Sequence, residues 1–166
     1  MRRALGSLIR LGEAAGAISI AAIAAIVLYD VIARALGHPT LWALEFTAYL
    51  MVGASVLAAG EVLQKGGHFE VRLFVDLLPP KVQKVLDLIV ALLSMVFVFG
   101  VTVGVFQLLA QTHQFGFRSP TLYRVPLIIP QGVLAIGFVL LSLAYVGKVS
   151  AEVARLRKSD LSEGAK

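Results

Sequence analysis

Residues 41–71 read LWALEFTAYLMVGASVLAAGEVLQKGGHFEV, and this stretch decides the fold. It holds one apolar run long enough for a helix to cross a bilayer, opened by an aromatic at Trp42 where a membrane interface would lie. Two carboxylates, Glu45 and Glu61, sit within the run, which stops at Gly66, Gly67 and His68. A soluble helix would turn both acids to a wet face. In lipid each needs a partner or a water-filled neighbour.

The rest of the chain has the same character. Of its 166 residues 58% are hydrophobic and only 15% charged, and the mean hydropathy of +0.87 lies far outside the soluble range. The composition predicts an all-α integral membrane protein, a single membrane domain over 1–166. There is no cysteine, which excludes disulfide scaffolds, thiol redox chemistry and cysteine metal sites. The formal charge of +5 could suggest nucleic acid. The basic residues, however, are scattered among short connections and not gathered on one face, so their better use is to set orientation in the membrane, with lipid and not nucleic acid as surroundings.

Toward the amino terminus, a short basic lead with Arg2, Arg3 and Arg10 precedes a first predicted span over 14–36. Its alanines at 17, 21 and 25 recur every fourth residue, a small-residue stripe of the kind that lets helices approach closely in lipid; alanine is also simply common there. Ala33, Arg34 and Ala35 mimic a signal-peptide cleavage site, but the apolar run is long for that role and Asp30 and Arg34 interrupt its end. The turn at 37–40 is too short to do more than reverse the chain, so the first span and the second, 42–64, form an antiparallel hairpin. Arg34 then lies about one turn before the break and Glu45 about one turn after it, while Asp30 shares a helix face with Arg34. These positions predict a buried cluster of Asp30, Arg34 and Glu45 with one guanidinium shared by two carboxylates; removing one member should cost roughly 3 to 5 kcal/mol. An ion cluster that locks the hairpin is the economical reading, and a proton or sodium site the functional one.

Toward the carboxyl terminus, 69–78 is apolar but too short to span. Wound as a helix it places Arg72 and Asp76 on a narrow polar stripe, which predicts a short amphipathic helix lying in the plane of the interface. Pro79 and Pro80 end it. A third span covers 81–112 and contains Gly100 and Gly104, a spacing that permits close backbone contact. A polar loop with His113, Arg118, Pro120 and Arg124 leads to the fourth span, 125–148, with Pro126 in its first turn and Pro130 expected to bend it. Residues 149–166 form a charged tail.

With the amino terminus in the cytoplasm, twelve Lys and Arg fall on the inner side and three, Arg34, Arg118 and Arg124, on the outer side. That asymmetry predicts both termini cytoplasmic. Neither a nucleotide loop, a zinc motif nor a nucleophilic triad is visible, so neither catalysis nor a cofactor is expected. His38 and His113 would share the outer side, which makes a haem-binding membrane anchor of a respiratory complex conceivable, although axial ligands normally project from within helices. A small proton-coupled multidrug-type antiporter could use Asp30 or Glu45 as proton carrier, but should place that carboxylate nearer mid-membrane. The paired helix breaks of larger secondary transporters are not evident.

The succession of Arg34, a short Gly-Pro turn, Trp42 with Glu45 three residues on, a second span ending in Lys65, Gly66, Gly67 and His68, and then FEVRLFVDLLPP at 69–80 resembles the small permease (Q-type) subunit of tripartite ATP-independent periplasmic (TRAP) transporters. The resemblance runs over 29–148. It implies a scaffold or anchoring subunit in the bacterial or archaeal cytoplasmic membrane. That subunit partners a large permease subunit, which carries substrate and sodium, and a periplasmic substrate-binding protein that delivers an organic acid. Trp42, Glu45, His68, the Ser119-Pro120 loop and Pro130 fall on recurring positions of the family. Leu127, Ile128 and Gln131 depart from it, standing where aromatic residues are expected. On this reading Trp42, Glu61, His68, Arg72, Asp76, Gly100, Gly104 and Pro130 are candidates for subunit contact, and His113, Arg118 and Arg124 for docking the periplasmic partner.

Overall fold

The computed structural model describes residues 2–64 and 79–163. The anticipated in-plane helix over 69–78, with Arg72 and Asp76, lies outside the described residues, as does His68. Among those described, the architecture is all-helical: α1 (Arg2–Ala35), α2 (Trp42–Gln64), α3 (Pro80–Phe115) and α4 (Ile128–Glu163). Each contains a stretch long and apolar enough to span a membrane, at Ile9–Ala35, Trp42–Leu63, Val82–Phe115 and Ile128–Leu156.

The helix ends follow from local chemistry. α1 closes on Gly37, whose φ of 81° lets its N–H reach the Arg34 carbonyl at 3.0 Å while the His38 N–H reaches that of Ala33 at 2.8 Å. This is the paired bonding that satisfies the last carbonyls of a helix, and it needs a left-handed residue, which glycine supplies without strain. Gly116 does the same for α3, with φ 64° and its N–H on the Thr112 carbonyl. α3 starts at Pro80 behind Pro79, where a missing N–H costs nothing.

Two expectations change at the ends. Pro130 does not bend the fourth helix. That helix begins at Ile128, so Pro126 precedes it and Pro130 sits in its first turn, where no intrahelical donor is lost. The basic lead and the charged tail are helical as well: α1 starts at Arg2 and α4 continues to Glu163. At 36 residues, α4 is roughly 54 Å long, well beyond the ~30 Å of a hydrocarbon core.

The helices stand in file, in the order α1, α2, α4, α3. α1 packs on α2, α2 on α4 and α4 on α3, and among the described residues α3 packs on neither α1 nor α2. The seams are made by small residues. A Cβ on Gly12 would stand 2.7 Å from the Leu57 carbonyl oxygen, and one on Gly16 would stand 3.1 Å from that of Ala54. At the α2–α4 seam a Cβ on Gly137 would meet the Val56 Cβ at 2.9 Å. Such approaches give helices in lipid their van der Waals attraction, because lipid tails supply no hydrophobic drive between them. The alanine stripe at 17, 21 and 25 makes no seam with the described helices: all three side chains are exposed. Ile9, Leu63, Val98, Ala144 and Tyr145 form the buried core. The α3–α4 seam adds a polar link, with Thr102 Oγ1 at 2.7 Å from the Val98 carbonyl and 2.9 Å from Ser142 Oγ.

Candidate functional site

The α1–α2 turn and the α3–α4 loop lie at the same end of the layer, and the ionised groups anticipated from sequence gather there. They form two separate clusters. At the turn, Arg34 Nε donates to Asp30 Oδ2 at 2.8 Å. The other carboxylate oxygen of Asp30 takes the Thr40 hydroxyl and, at 3.3 Å, the Thr40 N–H. Asp30 thereby ties the last turn of α1 to the residue that leads into α2. The Arg34 side chain is 56% exposed, so the pair itself contributes little.

Glu45 is not part of that cluster, contrary to the shared-guanidinium expectation. It is 8% exposed. Its Oε1 accepts from the Tyr49 hydroxyl at 2.7 Å and its Oε2 from the Thr121 hydroxyl at 2.5 Å, across 76 residues of sequence. The physical reason is rotational. Glu45 lies in the first turn of α2 on the side that meets the α3–α4 loop, while Arg34 stays at the solvent-facing edge of the turn. The hydroxyls of Ser119, Thr121 and Tyr49 and the positive end of a helix satisfy the carboxylate without a cation.

The loop that reaches Glu45 is itself ordered. Arg118 and Pro126 pair as an isolated antiparallel bridge, with the Ser119 N–H on the Val125 carbonyl at 2.9 Å and the Leu127 N–H on that of Phe117 at 3.1 Å. At the tip, Arg124 adopts φ 46°, a left-handed conformation unusual for a side-chain-bearing residue. Ser119, which is buried, holds Thr121 in place: the two hydroxyls are 2.9 Å apart and the Thr121 N–H donates to Ser119 Oγ. His113, Arg118 and Arg124 are all exposed.

The other candidates divide between inside and outside. Trp42 is half-buried, with its ring 6.1 Å from that of Tyr29 and 6.0 Å, edge-on, from that of Phe46, so much of its surface is spent within the α1–α2 hairpin. Glu61 is buried within the protomer at 7% exposure and is engaged there. Pro130 is half-buried. Gly100 and Gly104 face open space, with nothing among the described residues within 4 Å of where a Cβ would be. Beside Gly100 lies an apolar groove of about 310 Å³ lined by Met95, Val96, Phe99 and Val146.

A layer of apolar helices carrying satisfied carboxylates and a structured loop suits a membrane component of a larger machine. The sequence model for tripartite ATP-independent periplasmic transporters, DctQ component, matches residues 23–155. The chain belongs to this family. No curated protein matches it. As a DctQ component it is the small membrane subunit of a TRAP transporter, a multi-pass protein of the inner membrane.

Sequence reasoning missed three residues of the Glu45 and Asp30 clusters, Thr40, Tyr49 and Thr121, and marked Ser119 only as part of a recurring loop. Tyr49 was within reach of it, since a hydroxyl four residues after a membrane carboxylate shares its helix face. Thr121 carries no local signal at all. Gly12 and Gly16 were equally visible, at the same spacing as Gly100 and Gly104.

Proposed function

We propose that this DctQ chain is the scaffold and anchoring subunit of a sodium-coupled organic acid importer, with both termini cytoplasmic. It holds a large permease subunit through its exposed helix faces and meets a periplasmic substrate-binding protein at the α3–α4 loop. The observation that carries this reading is the file of helices. A layer in which, among the described residues, α3 leans on α4 alone leaves broad apolar faces and a glycine pair uncovered by them, which is how a subunit offers itself to a neighbour. Gly100, Gly104 and the groove beside them supply a close-approach surface for the large subunit. Substrate and sodium then belong to that larger partner, and Glu45 serves structure and not transport. The charge asymmetry of the sequence supports the orientation, which sets Arg118 and Arg124 on the periplasmic side.

Co-expression with the genomic neighbours tests the assignment. The chain should co-purify with a large membrane protein, and liposomes should take up an organic acid with sodium only when both membrane subunits and the soluble protein are present. Uptake by this chain alone would refute the scaffold reading and favour an antiporter.

A further inference from the structure

We infer that Glu45 is a latch for the α3–α4 loop, a positioning residue that shapes the surface offered to the soluble partner without touching that partner. This rests on the docking reading given above and adds to it the device that sets the docking geometry.

The loop has two sides with different chemistry. Its inner side is tied down: Thr121 Oγ1 donates to the buried Glu45 carboxylate at 2.5 Å, and the Ser119 hydroxyl braces Thr121, lying 2.9 Å from its hydroxyl and accepting from its N–H. The Tyr49 hydroxyl holds the other carboxylate oxygen at 2.7 Å, so the acceptor is itself fixed. The outer side is free: Arg118, Leu122, Tyr123 and Arg124 are exposed, Leu122 at 82% and Tyr123 at 54%. No acidic residue occurs in 113–127, and the nearby carboxylate of Glu45 faces inward. The exposed surface is therefore cationic with an apolar and aromatic tip, which complements an acidic patch on a soluble protein.

Backbone bonds close the base of the loop at Ser119–Val125 and Phe117–Leu127, but within the tip the Arg124 N–H reaches only as far as the Thr121 carbonyl. The Ser119 hydroxyl anchors the start of the loop to Glu45 of α2, and the hydroxyl of Thr121 carries that tie into the tip itself. Releasing it should leave the helices in place and let residues 119–124 wander, so that Arg118 and Arg124 lose their fixed spacing. Pre-organisation of this kind lowers the ordering cost of binding.

The test uses this chain with its large subunit in lipid nanodiscs and the purified periplasmic binding protein as probe. Thr121→Val removes the hydroxyl at nearly constant shape. It should leave co-purification unchanged, lower thermal stability by no more than Glu45→Gln does, raise amide hydrogen exchange at 119–127, and weaken binding of the periplasmic protein about tenfold, the weight of one hydrogen bond to a charged group. Thr121→Ser, which keeps the hydroxyl, should restore both exchange and affinity. Arg118→Glu and Arg124→Glu report on the docking reading separately and should weaken binding at unchanged exchange. If Thr121→Val bound like wild type while the arginine reversals weakened binding, the latch would be refuted and the docking surface kept. Full affinity in both arginine reversals would refute the docking surface and the latch's purpose with it.

Discussion

Gly12 and Gly16 have the same spacing as Gly100 and Gly104, and the structure gives the two pairs opposite surroundings. The first pair faces α2 so closely that a methyl group would press on the Leu57 and Ala54 carbonyl oxygens; the second has nothing before it within 4 Å. A glycine pair four residues apart thus marks a surface where a helix can come close, and not the helix that does. In this DctQ component the used pair builds the protomer, and the unused pair lies on the flank of α3, which among the described residues packs on α4 alone. The contrast separates the half of the molecule that is closed within the protomer from the half that, on the proposed function, would receive a neighbour.

The largest effect should come from filling the closed pair. Gly12→Leu should destabilise the isolated protein by about 3 kcal/mol or more, because the obstructing atom is backbone and cannot rotate away; thermal unfolding in detergent would show it, and an unchanged transition would break the comparison. Next comes Glu45→Gln, which weakens two hydrogen bonds to a buried carboxylate. It should lower stability or assembly by roughly 1 to 3 kcal/mol, while the sodium stoichiometry of the assembled transporter stays the same. A normal assembly with altered stoichiometry would move Glu45 from structure to transport. Thr102→Val, which deletes the α3–α4 hydroxyl link to Ser142, should cost only about 0.6 kcal/mol, as interhelical hydrogen bonds in membranes do. The smallest effect on the lone chain belongs to Gly100→Leu: no change in its unfolding, yet reduced recovery of the large subunit on co-purification. Loss of stability in the lone chain would show that α3 is packed more closely than the structure has it.

How far these features could be read beforehand depends on whether they are local. Four spanning segments, the hairpin at Gly37 and the start of α3 at Pro79–Pro80 were legible because bilayer thickness, left-handed glycine and proline's missing donor act within a few residues. The pairing of Asp30 with Arg34 was legible for the same reason. The placing of Glu45 with Arg34 was not: both lie near the break, but depth alone does not fix which way a side chain turns about its helix. The Pro130 bend failed by two or three residues, since a proline bends a helix only once the helix has begun before it. The partner of Glu45 comes from the far side of the chain, so no local pattern announces Thr121.

By itself the sequence determined that this chain lives in a membrane, that it is helical, and, through its ordered motifs, that it is akin to small TRAP permease subunits. Each of these follows from apolar run lengths and from residues that act on their own neighbourhood. Only the tertiary structure decided that the helices stand in file as α1, α2, α4, α3, that Gly12 and Gly16 are spent while Gly100 and Gly104 are open, and that Glu45 holds a loop. Those outcomes depend on how each helix is rotated against the next, and in lipid, where every face is apolar, hydropathy cannot say which face turns inward.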